Sequence, residues 1–198
     1  MIIDPSKLDN VSVYKLLAGA VVPRPIAWVS TRSQEGVLNL APFSFFTVAS
    51  RQPPMLAISI GPRTDGEEYA KDTLTNIRET KEFVINMVSV ELANAMHETA
   101  FNHPPEVDEF TRSGVTPAIS EVIKAPRVAE SKISMECTLE QILELGSDYL
   151  VIGQMHRYHV EDDLIHNGRI DLEKLDPLAR MAGNFCQIGT LFTLPIDD

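Results

Sequence analysis

Short apolar runs at close spacing constrain this chain more than any other feature. They cover residues 26–30, 37–40, 43–48, 55–60 and 83–88, and each is bounded by Gly, Pro, Asn or Asp. Pieces of this length between such breakers are strands, and short strands packed this closely along a chain close into a barrel or a sandwich. Later in the chain, residues 133–139 alternate apolar and polar side chains, the pattern of an antiparallel strand with one wet face. Residues 149–160 and 185–194 read as further strands, with Gly153 and Gly189 where a bulge or a close backbone approach is expected. Two helical patterns interrupt them. Residues 69–80 put Ala70, Leu74 and Ile77 on one face, and residues 90–101 do the same with Leu92, Ala95, Met96 and Thr99. Strands and helices do not alternate regularly, so the reading is a β-rich α+β fold and not a doubly wound parallel sheet.

No repeat of fixed period and no low-complexity linker divides the 198 residues, so one domain is expected over 1–198. The 28 acidic residues against 17 basic give a net charge of −11, which repels phosphate backbones and anionic bilayers. Nucleic acid and membrane are therefore not expected as partners. The opening MIIDPSKLDN has no basic stretch followed by a long apolar run, and the expectation is a cytoplasmic protein. Cys137 and Cys186 lie far apart inside apolar runs and read as reduced, packed thiols.

Missing motifs count against several chemistries. None of the ten glycines forms a GxG pair, so neither the dinucleotide fingerprint nor a phosphate loop can be written. A GxSxG elbow is absent, and His97-Glu98 is followed by Thr99-Ala100-Phe101, which is not a zinc-protease helix. His156 and His159 stand three apart in a predicted strand, on opposite faces, and are not expected to share a metal ion.

Three segments point the other way. In Val22-Pro23-Arg24-Pro25-Ile26-Ala27-Trp28-Val29-Ser30-Thr31, two prolines fix the backbone around Arg24, which suits an anion; the alternative is a surface turn leading Trp28 into the core. In Asn39-Leu40-Ala41-Pro42-Phe43-Ser44-Phe45-Phe46, a proline inside a strand places it at a sheet edge or a bend. Backbone groups there could bond the rim of a flat heterocycle, or the segment could be a bulged core strand. Lys71-Asp72-Thr73 opens a predicted helix, where free amides favour a phosphate, or where Asp72 or Thr73 simply caps the helix.

Taken together, these segments resemble the flavin reductase-like family that includes flavoredoxin. The resemblance runs from about Val22 to about Leu191 and includes the turn Arg51-Gln52-Pro53-Pro54. It implies an FMN-binding split β-barrel of Greek-key kind with peripheral helices, built as a homodimer with FMN near the subunit interface. It also implies that Trp28, Ser30 and Thr31 line the flavin, and that Asn39, Ala41, Pro42, Phe43 and Ser44 face its ring system. Ser59 and Ile60 would approach the same ligand, and Lys71 and Thr73 would hold the phosphate with help from Arg24. NAD(P)H is the implied donor, with free flavin, a monooxygenase or another electron-transfer protein as acceptor. The flavin would carry the electrons, so no catalytic acid or base is assigned. Many members have Gly-Asp-His before a late strand; here the stretch is Gly146-Ser147-Asp148-Tyr149, and only the Tyr149 face is left to stack on a nicotinamide. The family segment often ending in Tyr is Arg180-Met181-Ala182-Gly183-Asn184-Phe185, with Arg180 placed to reach the site or to sit at the surface. An electron carrier without nicotinamide turnover and a flavin-binding module are the alternative functions.

Overall fold

The computed structural model describes residues 1–63 and 70–194. Its centre is a seven-stranded sheet of β1 (Ala27–Arg32), β2 (Leu38–Phe43), β3 (Phe46–Arg51), β4 (Pro54–Ile60), β5 (Glu82–Met87), β6 (Ile133–Leu145) and β7 (Asp148–Val160). The order across the sheet is β2-β1-β5-β6-β7-β4-β3, antiparallel at every neighbour. Two long strands, β6 and β7, carry the middle, and the proline-bearing β2 is at an edge, where Pro42 faces Trp28 without needing to donate onward.

Alternation along β1 divides the core in two. Val29 packs with Leu74, Ile77, Phe83, Ile85, Cys137 and Val151 beneath α2 (Asp72–Thr80), whereas Trp28 faces Leu40, Val88, Met96, Phe110 and Val128. Cys137 is fully buried and reduced, and burial pushes its thiol up to about 12. Gly153 sits at a register shift against β6. A Cβ there would collide with Phe83 Cζ and stand 2.7 Å from Phe83 Cε1 and 3.2 Å from Cys137 Cβ, so glycine is required for β7 to close on β5 and β6.

Around the sheet the structure departs from the sequence reading in several places. A helix, α1 (Asn10–Ala20), precedes the first strand, capped by Asp9, which accepts from Ser12 N at 2.7 Å. Its apolar residues are scattered around the axis, with Val11, Leu16 and Leu17 exposed, so no amphipathic stripe marks it. The run 43–48 breaks in two at Ser44 and Phe45 because β2 ends at the corner after Pro42. Of the helix expected over 69–80, the structure has Asp72–Thr80, and Tyr69 lies outside the described residues. The pattern 90–101 resolves into a 3-10 turn (Val90–Leu92) followed by α3 (Ala93–Glu98). Only Phe185–Cys186 of the expected last strand pairs, with Ala179–Arg180, which in turn pairs with Arg24–Pro25; Gly189 has no neighbour within 4 Å of an added Cβ.

The two histidines of β7 also require correction. A bulge between Met155 and Arg157 brings them to one face, where His156 bonds Thr138 at 2.7 Å and His159 bonds the buried Glu136 at 2.5 Å. No cluster of three or more metal-binding side chains forms among the described residues. Among the described residues no helix is long and apolar enough to cross a membrane.

Candidate flavin site

The corner at Pro42 is where the edge strand β2 ends, and three depressions meet there. The first is a narrow polar pocket between Asn39, Ala41, Lys71, Asp72, Thr73 and Glu109. Lys71 is the N-cap residue of α2 and its side chain does not cap the helix, and the helix start, Lys71 to Thr73, lines the pocket. The second is a groove of about 390 Å³ running past Pro42, Phe43, Ser44, Ser59, Lys71 and Asp148. The third, about 350 Å³, shares Tyr14, Pro42 and Ser44 with it and continues past His97 and Phe101 to Arg180 and Phe185. A separate depression of about 460 Å³ at Arg32, Glu79, Glu82 and Lys124 has no aromatic wall and none of the expected site residues.

A buried polar network shapes the first pocket. Asn39 is its hub: its Oδ1 accepts from Thr73 Oγ1 at 2.8 Å and from Thr31 Oγ1 at 3.2 Å, and its Nδ2 donates to both carboxylate oxygens of Glu109 at 3.2 Å. Asn76 Nδ2 donates to Thr31 Oγ1, and Leu40 N donates to Glu109 Oε2. Glu109 comes from α4 (Glu109–Ser113), whose start is capped by Asp108. Burial is the dominant influence on its carboxyl and pushes it up to about 7, against the hydrogen bonds that favour the ion. Asp72 is raised from its ordinary value by burial as well, opposed by Arg63 at 3.3 Å.

The expected site residues therefore divide by where their side chains go. Asn39, Ala41, Pro42, Phe43, Ser44, Ser59, Lys71 and Thr73 are brought together around the corner. Trp28 is fully buried, its indole N–H donating to Thr99 Oγ1 at 2.8 Å, and it supports the corner from behind. Ser30 is turned inward onto the Pro126 carbonyl and Asn86, Thr31 belongs to the Asn39 network, and Ile60 lies in the core. Arg24 is 4% exposed and donates to the carbonyls of Ala18, Val21 and Met181, so it pins the end of α1 instead of waiting for an anion. The Arg78 guanidinium lies over one face of the Tyr149 ring at 4.4 Å. Sequence reasoning missed Glu109, Tyr14, His97, Phe101 and Asp148 as cleft residues. A buried acid such as Glu109 is indistinguishable in sequence from a solvated one.

A model of the flavin reductase like domain matches residues 19–189. The chain belongs to that family. Nitrilotriacetate monooxygenase component B from Bacillus cereus superposes with a TM-score of 0.93 at 38% identity, covering 98% of each chain. Pseudomonas fluorescens 2-nitrobenzoate 2-nitroreductase NbaA follows at 0.88 and 29%, covering 100% of this chain and 96% of that one. A flavin reductase-type split barrel domain from Shewanella frigidimarina NCIMB 400 matches at 0.84 and 23%, covering 97% and 96%, a likeness of fold alone. The seven-stranded sheet is thus that of a split barrel, and this flavin reductase-like chain is an oxidoreductase that uses a flavin as cofactor or substrate.

Proposed function

We propose that this protein is a flavin reductase that binds FMN at the Pro42 corner and takes electrons from NAD(P)H. The observation carrying this reading is the junction of the helix start at Lys71 with a groove of about 390 Å³ edged by Pro42, Phe43 and Ser44. Lys71 and the first turn of α2 would hold the phosphate, with the Thr73 hydroxyl fixed by Asn39 just behind. Backbone groups from Asn39 to Ser44 would meet the ring edge, and Phe43 would supply an apolar wall. Bound flavin supplies the hydride and electron chemistry; the chain binds it, orients it and keeps water off one side.

The likeness to component B of a monooxygenase supports delivery of reduced flavin to a partner monooxygenase. A homodimer is supported by the apolar residues that α1 leaves uncovered, Val11 at 62%, Leu17 at 55% and Tyr14 at 51% exposed, the last of them lining the cleft. Two unpaired cysteines suit a reducing cytoplasm. The test is the absorbance spectrum of purified protein given FMN, before and after anaerobic NADH or NADPH. A flavin band near ~450 nm that bleaches supports the reductase; a bound flavin that persists makes the chain an electron carrier, and no FMN binding refutes the site.

A further inference from the structure

The third depression, past His97 and Phe101 to Arg180 and Phe185, is distinguished by charge. The chain carries a net charge of −11, yet among the described residues no Asp or Glu lines this groove. The Arg180 guanidinium lies 4.5 Å over the Phe185 ring and forms no ion pair with a carboxylate among the described residues. Arg24, opposite Arg180 in register, is held by the carbonyls of Ala18, Val21 and Met181, so the guanidinium lining the groove is that of Arg180. Such a place in an acidic protein selects anions.

Its walls select shape. His97 meets Phe101 edge-on at 5.3 Å and Phe185 at 6.5 Å, and the two phenyl rings remain 55% and 38% exposed. Exposed rings flanking a guanidinium fork offer a flat molecule stacking area and a carboxylate two parallel donors. A volume of about 350 Å³ suits a small ligand. A nicotinamide ring has no negative charge of its own to satisfy Arg180.

We propose that this groove binds a small aromatic carboxylate, its carboxylate on Arg180 and its ring against Phe101 and Phe185. The groove adjoins the proposed flavin groove at Tyr14, Pro42 and Ser44, so an occupant would lie beside the flavin, but its recognition by Arg180 requires no flavin.

The test titrates benzoate, benzamide and cyclohexanecarboxylate calorimetrically into the full chain, with and without FMN. Benzoate is expected to bind, and each of the other two to bind at least about tenfold more weakly, since one lacks the charge and the other the flat ring. Arg180→Met should reduce benzoate to the benzamide level, and Arg180→Lys should keep part of the difference. Equal binding of all three ligands by the wild-type chain overturns the proposal without any variant. So does an Arg180→Met protein that holds benzoate as the wild type does, or inorganic phosphate competing as well as benzoate. Mole-for-mole displacement of FMN by benzoate assigns the groove to the flavin and overturns this inference while leaving the proposed function standing. Failure of FMN to bind, with the benzoate pattern intact, does the reverse.

Discussion

Replacing Glu109 with glutamine tests whether the polar pocket holds a buried acid that keeps its proton. In the folded chain Glu109 is 5% exposed and its carboxyl is pushed up to about 7, chiefly by burial, against an ordinary 4.5. Between those two pH values the folded state holds a proton that the unfolded state has released. Stability from this group is therefore fully present below about pH 4.5, declines as the pH rises, and is gone above about 7. At ~1.4 kcal/mol per pH unit the window amounts to about 3 kcal/mol, an upper figure because buried sites relax and admit water. Glu109→Gln stays neutral at every pH and still offers Leu40 N an acceptor, so it should lack this slope. Asp72 in the same pocket is also raised by burial and adds a slope of the same sign, so the informative quantity is the difference between wild type and variant. Urea unfolding at pH 5, 6, 7 and 8 measures it, and relative to wild type the variant should gain about 2–3 kcal/mol between pH 5 and pH 8. A difference that does not change with pH would refute the reasoning, because it would mean that Glu109 ionises alike in both states.

Gly153→Ala should destabilise by about 1–3 kcal/mol, since the new methyl collides with Phe83, and thermal unfolding should shift down by several degrees. Adding Phe83→Leu should recover part of that loss, and strictly additive effects would contradict the proposed collision. Asn39→Ala removes the hub that satisfies Thr31, Thr73 and Glu109; unfolding should show a loss of about 2–3 kcal/mol, and FMN affinity should fall with it. Lys71→Met should weaken FMN about tenfold or more while leaving riboflavin, which lacks the phosphate, within about twofold by fluorescence titration. An equal loss for both flavins would remove Lys71 from the phosphate.

Much of the sheet was legible because strand periodicity and breakers are local. Residues 133–139 alternate, and they form the first half of β6; Pro42 inside an apolar run required an edge or a bend, and β2 is an edge strand. The apolar face of α2 was visible for the same reason, although the first helical residue is Asp72 and not the start expected from the pattern 69–80. Boundaries were lost where tertiary contacts decide them. The segment 185–194 is apolar enough for a strand, but only Phe185–Cys186 has a partner to pair with, and sheet hydrogen bonds need one. Helix α1 gave no signal because its apolar side chains do not form a stripe.

The site was half legible. Sequence by itself determined which residue types stand at the corner: the edge proline, the phenylalanines beside it, and the lysine at a helix start. Only the tertiary structure decided which way each side chain faces. Arg24 and Trp28 read equally well as ligand or scaffold, and long-range partners settled them as scaffold, the Met181 carbonyl for one and the Thr99 hydroxyl for the other. Glu109, seventy residues from Asn39, became a pocket residue because α4 packs against β2. Alternation and capping act over a few residues and are written in the chain, whereas burial, charge balance and a buried acid's proton depend on segments that meet only when the barrel closes.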